Sequence, residues 1–548
     1  MMALKPHSRV DLSTQACDIC RKRKVKCHRT QGRCSRCERL NLGCTFLSPS
    51  KVRGPKKRLG TESVSRTLSH EDFPVDDADR SASQHTKYPT DALWDRTCFK
   101  LIMEDYIDHL YPLLPIVHRP SFRRALREDR DCEDSGFLGL FLAVAAVVVA
   151  TLPSRFEHYR SVSPPLQFQS RREMIRYCAD RIMRLRTATY FDEINFQKFA
   201  ISYLLYAAFL QLGDHNRARM LDVETMQIAR LLNLHCISQY NGLNCIETQL
   251  RKKGFWLIFY SFVHARLQNM FGERLLYLDP ALLQTINPED MMPLEVDDEF
   301  IMENEVLAPR IQTPCVVTGF ILHSRVFWAA VRDPLPGHSA EEPCPCVQAR
   351  DPLIQISYLQ DRLQNLKYLL HDIPAILRPW GPPNEDLLNS GGTAAISRLN
   401  FATMRANLHV THLWLQSLLI DQLEAAHAGQ RGALPASRPG HSLYKTDPKS
   451  LWLEREELCR QLFFVLSTLP QASLEANGLH LAYKVRDIAA SILACPFHPQ
   501  EPEAKRAAEY VQDATSWLSR LDRSESINAL HLQSWVDTDR VRSEATIP

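Results

Sequence analysis

Six cysteines fall within 28 residues near the N-terminus: Cys17, Cys20, Cys27, Cys34, Cys37 and Cys44. Their spacing is C-x2-C-x6-C, six residues, then C-x2-C-x6-C again, so one half-motif occurs twice. Thiolates are soft ligands that suit zinc, and close Cys pairs commonly hold it. Two tetrahedral zincs present eight coordination positions, which six thiolates fill if two of them bridge the metals. Each half-motif would then supply three sulfurs. Disulfides are the competing use for so many cysteines. They belong to secreted chains, and the first sixteen residues contain no apolar signal-peptide core. A single zinc with two spare cysteines is the other alternative, and the duplicated spacing favours two zincs per chain.

The residues between the cysteines carry the second constraint. Arg21, Lys22, Arg23, Lys24 and Lys26 stand between Cys20 and Cys27, a cationic turn that offsets the negative charge of a thiolate cluster. Asp18 near its start and the cations toward its end match the helix dipole. Ser35-Arg36-Cys37-Glu38 reads as a capping box opening a matching helix, with Ser35 as the cap. A module this small has almost no apolar core, so metal binding would supply its folding free energy.

Net charge is polarised. Residues 1–60 hold 16 Lys+Arg against 3 Asp+Glu, which leaves 50 against 60 in the rest of the chain. A basic arm on an acidic to neutral body is the footprint of a nucleic-acid partner. Lys51, Arg53, Lys56, Lys57 and Arg58 lie among Pro and Gly as an extended basic linker. Such a strip can track phosphates or serve as a nuclear import signal.

The stretch Ala16 to Cys27, with all six cysteines and the basic turn, resembles the fungal zinc binuclear cluster (Zn2Cys6) transcription factors. His28 and Gly32 depart from the family's frequent Asp and Pro. The resemblance implies a nuclear regulator of RNA polymerase II genes that binds CGG-type half-sites in double-stranded DNA, works with the transcription machinery, and controls a metabolic pathway or gene cluster. It implies Cys17 and Cys34 as bridging thiolates. It also implies base contacts from Arg23 and Lys24, with Lys22, Lys26 and Arg29 on phosphates. Arg53-Gly54-Pro55-Lys56 is similar to the segment just after the cluster in some sugar-utilisation regulators. Leu59, Val64 and Leu68 do not sustain heptads, and Pro49, Pro55 and Pro74 interrupt them, so any homodimer is expected to lack a coiled coil.

The remainder is predicted to be an all-α body. Helical periodicity covers 99–107, 171–187, 196–212, 214–234, 247–270, 314–332, 352–371, 396–426, 450–468, 478–494 and 503–522, with strand alternation scarce. Ser121 is a candidate N-cap. Residues 137–152 form an uncharged run too short for a membrane span, which takes about 18 or more residues. A buried helix and a soluble chain without a membrane partner are therefore expected.

Tyr111 to Phe122, Asp222 to Leu234, Arg251 to Phe259, Gly272 to Arg274 and Pro293 to Asp298 resemble, in order, the fungal-specific regulatory (middle homology) region. Lys252 and Lys253 stand where that family often has arginines, and His264 lies near its frequent Asp.

These readings divide the chain into a disordered 1–12, the cluster 13–47, a basic then acidic flexible linker 48–92, the regulatory domain 93–425, a loop 426–449, C-terminal helices 450–530 packing on that domain, and a tail 531–548. Phosphate loops, H-E-x-x-H and G-x-S-x-G are absent, and His118, His264, His409 and His412 are isolated. Trp256, Phe255 and Phe259 read as core, and Cys344-Pro345-Cys346 is too lean for a metal site. No enzyme is expected, because six thiolates shared by two zincs leave no open position for catalysis. The alternative is a zinc-stabilised scaffold or ligand-sensing protein that binds nucleic acid without sequence preference.

Overall fold

A computed structural model of the chain describes residues 17–22, 27, 33–40, 44–45, 95–162, 168–268, 280–308, 314–331, 352–380, 392–433 and 447–521. The chain divides into two compact units, residues 1–79 and 80–548.

In the first unit, helix α1 (Asp18–Lys22) and helix α2 (Ser35–Arg39) are single turns, one in each half-motif. The residue that caps α2 is Cys34, not Ser35: Cys34 is extended (φ −82°, ψ 140°) and its Sγ accepts the Cys37 N–H. Ser35 already lies inside the helix, so the expected capping box is corrected, with a sulfur taking the role of the hydroxyl.

The second unit is helical among its described residues, with an isolated bridge between Ile301 and Val306 in place of any strand. Short polar side chains fix several of the helix starts by accepting orphan N–H groups. Asp95 caps α3 (Arg96–Asp105), Asp134 caps α5 (Ser135–Thr151), and Ser170 caps α7 (Arg171–Leu185). Asn195 caps α8 (Phe196–Gln211) and Asp214 caps α9 (His215–Leu231). Ser121 does not cap. It sits within α4 (Arg119–Arg127), where Pro120 occupies the first turn, and its Oγ pairs with Nδ1 of the preceding His118 at 2.8 Å. The fixed φ of Pro120 sets the helix start ahead of the serine.

Helix α5 is buried from Leu138 to Thr151, as its uncharged composition requires, and packs on α7 and α8. Pro153 ends it, and α6 (Pro153–Val162) departs at 111°. Among the described residues no single helix is long and apolar enough to cross a membrane. The next elements are α10 (Cys245–Gln268), the short α11 (Pro280–Thr285) and α12 (Pro288–Met291), then α13 (Val316–Val331) and α14 (Pro352–Tyr368).

Helix α15 (Gly392–Ala433) runs 42 residues and carries the C-terminal half of the body. Packed on it are α13, α14, α16 (Pro448–Thr468), α17 (Gln471–Glu475) and α18 (Gly478–Ser491), and α19 (Pro502–Leu521) packs on α18. Residues 426–433, expected as loop, continue α15, as its alanines at 425, 426 and 428 favour.

Three segments far apart in sequence meet at one buried carboxylate. Asp298 accepts from Lys253 Nζ at 2.7 Å, from the Tyr111 hydroxyl at 2.6 Å and from the Arg119 backbone N–H at 2.9 Å. Lys253 and Asp298 side chains are only 2% and 1% exposed. Burial by itself would raise the Asp298 pKa, but the Lys253 ammonium and these donors hold it down to about 2.

Candidate metal centre and nucleic-acid interface

Among the described residues of the first unit, Cys17, Cys20, Cys34 and Cys37 are the buried side chains, with Cys27 and Cys44 half-buried beside them. All six are free thiols, not disulfides. Their sulfurs form two groups of four, Cys17-Cys20-Cys27-Cys34 and Cys17-Cys34-Cys37-Cys44, and within each group every Sγ lies within 4.8 Å of the others. Cys17 and Cys34 belong to both. The Sγ–Sγ distances Cys17–Cys34, Cys17–Cys37 and Cys20–Cys34 are each 3.7 Å. A disulfide needs about 2.05 Å. Two thiolates at about 2.3 Å from one zinc, at the tetrahedral angle, stand about 3.8 Å apart. The donor set therefore fits two zinc ions.

The backbone repeats the duplication. The Cys20 N–H donates to Cys17 Sγ (3.5 Å) and the Cys37 N–H to Cys34 Sγ (3.3 Å). In the same way the Cys17 N–H donates to Cys27 Sγ (3.5 Å) and the Cys34 N–H to Cys44 Sγ (3.2 Å). Each half is thus the same loop wrapped on sulfur, and a bond from an N–H favours the thiolate over the thiol. Burial raises Cys17 and Cys34, but these amides and neighbouring thiols outweigh it, lowering Cys17 and bringing Cys34 down to about 6. Cys20 has no such offset, and burial beside Cys17 and Cys34 pushes it up to about 12. The two sulfurs common to both groups are the two most disposed to carry charge.

A closure that sequence reasoning missed joins the ends of the module. The Asp18 N–H donates to Thr45 O at 2.8 Å, and Thr45 Oγ1 donates to Asp18 Oδ2 at 2.9 Å. Asp18 thus does more than complement the helix dipole. Its partner lies 27 residues away, and no local pattern announces it.

Of the basic residues, Lys22 ends α1. Arg23, Lys24, Lys26 and Arg29 lie outside the described residues, as do Lys51, Arg53, Lys56, Lys57 and Arg58. So do His28, Gly32, Gly272 to Arg274, and Cys344 and Cys346.

In the body, His409 and His412 are core residues. Their Nε2–H groups donate to Leu377 O (2.8 Å) and Leu366 O (2.7 Å), and burial lowers both to about 4, so they stay neutral. Phe255, Trp256 and Phe259 are fully buried, and Trp256 Nε1 donates to Met291 O.

Comparison with known proteins gives this arrangement a class. Residues 15–53 match the fungal Zn(2)-Cys(6) binuclear cluster domain, and residues 103–261 match the fungal specific transcription factor domain. The chain thus carries both a Zn(2)-Cys(6) binuclear cluster domain and a fungal specific transcription factor domain, and its cluster is one that binds two zinc ions.

Among individual relatives, the maltose fermentation regulatory protein MAL13 of Saccharomyces cerevisiae is 25% identical over 247 residues, 44% of this chain and 48% of its own length. The maltose fermentation regulatory protein MAL63 of the same yeast is 26% identical over 253 residues, 45% of this chain and 49% of its own. The lactose regulatory protein LAC9 of Kluyveromyces lactis is 42% identical over 80 residues, 14% of this chain and 9% of its own. The match thus spans about half the length of the maltose regulators. No solved structure matches.

Proposed function

We propose that the protein is a sequence-specific DNA-binding regulator of transcription that acts in the nucleus on genes of a metabolic pathway or gene cluster. The observation that carries this reading is the pair of four-sulfur groups sharing Cys17 and Cys34, set in the most basic part of the chain. In it, Cys17 and Cys34 bridge the two zincs, Cys20 and Cys27 complete one site, and Cys37 and Cys44 complete the other. With four sulfurs on each metal there is no open position for water, so the zinc supplies folding free energy and charge, not catalysis.

In this reading the basic segment Lys22 to Lys26 is the part of the chain that meets DNA. Arg23 and Lys24 are assigned to guanine O6 and N7 in a CGG half-site, where a good bidentate pair is worth about 1–3 kcal/mol of discrimination. Lys22, Lys26 and Arg29 are assigned to phosphates, which position the module without reading sequence. Lys51 to Arg58 serve as a phosphate-tracking linker and nuclear import strip. MAL13 and LAC9 are regulatory proteins of maltose and lactose use, which supports a metabolic target and a body that regulates without catalysing.

The test compares CGG-containing and scrambled duplexes across a salt series. Lys24→Ala is expected to abolish the preference for CGG, a loss of about 1–3 kcal/mol of discrimination. Lys26→Ala should weaken both duplexes about equally and lower the salt slope by about 1. Equal weakening of both duplexes by Lys24→Ala would leave the turn as an electrostatic anchor only, and would favour the non-specific reading.

A further inference from the structure

The body contains a cavity of about 100 Å³ where α5, α8, α10, α13, α15 and α18 converge. Its wall carries His264, His323, His480 and Lys484, while Asp and Glu are absent from the lining. Lys484 is 2% exposed, and among the described residues no carboxylate offsets its burial. Its ammonium donates to Thr411 Oγ1 at 2.7 Å and lies 5.5 Å and 5.6 Å from the ring centres of Phe327 and Trp414. Thr411 in turn reaches His323 Nε2 at 3.2 Å. With lysine as donor to the hydroxyl, the hydroxyl donates onward, and His323 Nε2 is the acceptor. No carboxylate faces this ammonium, so an anion in the cavity would be the group that holds it protonated. Burial alone brings Lys484 down to about 7.

His264 supplies the second half of the recognition. It is 6% exposed and stacked on Trp414, and its ring lies 4.2 Å from that of His480. Its Nδ1–H donates to Tyr260 O at 2.8 Å, which fixes the tautomer and leaves Nε2 as a lone-pair acceptor. That Nε2 is buried with no hydrogen-bond partner, and so is His480 Nδ1. Native structures rarely leave such buried atoms unsatisfied, so each of these two offers a lone pair to a donor that enters the cavity. Volume limits what that ligand can be. Pockets for drug-sized molecules run about 300–1,000 Å³, so this cavity admits only a few heavy atoms and excludes a disaccharide.

We propose that the cavity binds a small hydroxycarboxylate, its carboxylate paired with Lys484 and its hydroxyl donating to His264 Nε2. His264, His323, His480 and Lys484 all lie outside residues 103–261 that match the regulatory domain. The ligand would join α10 to α18, and so tie the family-typical helices to the C-terminal ones.

The probe is glycerate, titrated into the zinc-loaded full-length protein by calorimetry at fixed ionic strength. Propionate, which lacks the hydroxyls, and glycerol, which lacks the carboxylate, are run alongside. Glycerate is expected to bind saturably, with propionate and glycerol each weaker by about tenfold or more, the value of one buried charge-assisted or acceptor bond. Lys484→Met and His264→Phe should each weaken glycerate about tenfold or more, while Lys367→Met, on the surface, should leave it unchanged. Absence of saturable glycerate binding overturns the proposal, as does glycerol binding as tightly as glycerate, or unaltered binding to Lys484→Met. If Lys484→Met does not fold, His264→Phe and the three-probe comparison on the unaltered chain decide. No step involves DNA, so the result is independent of the cluster's role.

Discussion

Among the described residues of the cluster, the buried side chains are Cys17, Cys20, Cys34 and Cys37, with Ile19 half-buried against them. In the helical body, the largest fully buried side chains are Trp256, Trp414, Trp452, Tyr106, Tyr111 and Tyr159, within one continuous apolar cluster. The first is a core of sulfurs whose cohesion comes from a metal; the second is held by apolar area withdrawn from water. A module of a few dozen residues cannot bury enough surface to fold by the second route. It therefore places its folding free energy in a few strong bonds that one reagent can remove. The body spreads its own over so many contacts that no single side chain controls it.

The largest effect that tests this contrast is metal removal. A chelator that strips zinc should unfold residues 17–45 and abolish DNA binding, since structural zinc contributes about 10–16 kcal/mol to such peptides near neutral pH. The body's helical circular dichroism and melting temperature should stay where they were. Elemental analysis should give two zincs per chain, and Cys34→Ser should lose both metals where Cys27→Ser loses one. A drop in body stability on chelation would break the contrast.

An intermediate effect is expected at the ion pair of Lys253 and Asp298, whose side chains are both buried. Lys253→Met leaves Asp298 charged and buried without its cation, which costs about 3–5 kcal/mol and should appear as a lowered denaturation midpoint. The pH dependence sharpens this. Asp298 is held down to about 2, below the ordinary carboxylate value of about 4, so its stabilising contribution is present above pH ~4 and lost as pH falls toward 2. Lys253→Met should remove that acid limb from the body's melting curve. An unchanged limb would assign it to other carboxylates.

The smallest effect probes packing. A Cβ at Gly254 would stand 2.8 Å from Phe196 Cε2 and 3.1 Å from Phe199 Cε1. Gly254→Ala should destabilise the body by about 1–3 kcal/mol despite alanine's better helix propensity. Gly319→Ala meets the flexible Met404 side chain at 2.8 Å, and should cost less in the same urea melts. Neither change should alter DNA binding.

Much of this was legible in the residues themselves. The duplicated cysteine spacing determined the two four-sulfur groups, because C-x2-C places two sulfurs on one turn and the repeat places two such turns on one metal pair. Helix periodicity located most of the long helices of the body, since that signal is local, although α15 runs on to Ala433, past the expected end at 426. The misreadings were also local. Ser35 and Ser121 have the composition of caps, but Cys34 and His118 already occupied the extended position before the helix.

What only the tertiary structure decided is which distant residues share a carboxylate or a cavity. Lys253 and the Tyr111 to Phe122 segment that holds Tyr111 and Arg119 are separate motifs in the chain, and the fold alone brings them to Asp298. His264 and Lys484 lie on α10 and α18, and nothing near either one signals the other. Pairing across the core depends on which helices α15 collects around itself. That is set by the shape and volume of every side chain at once, a sum that no stretch of sequence contains.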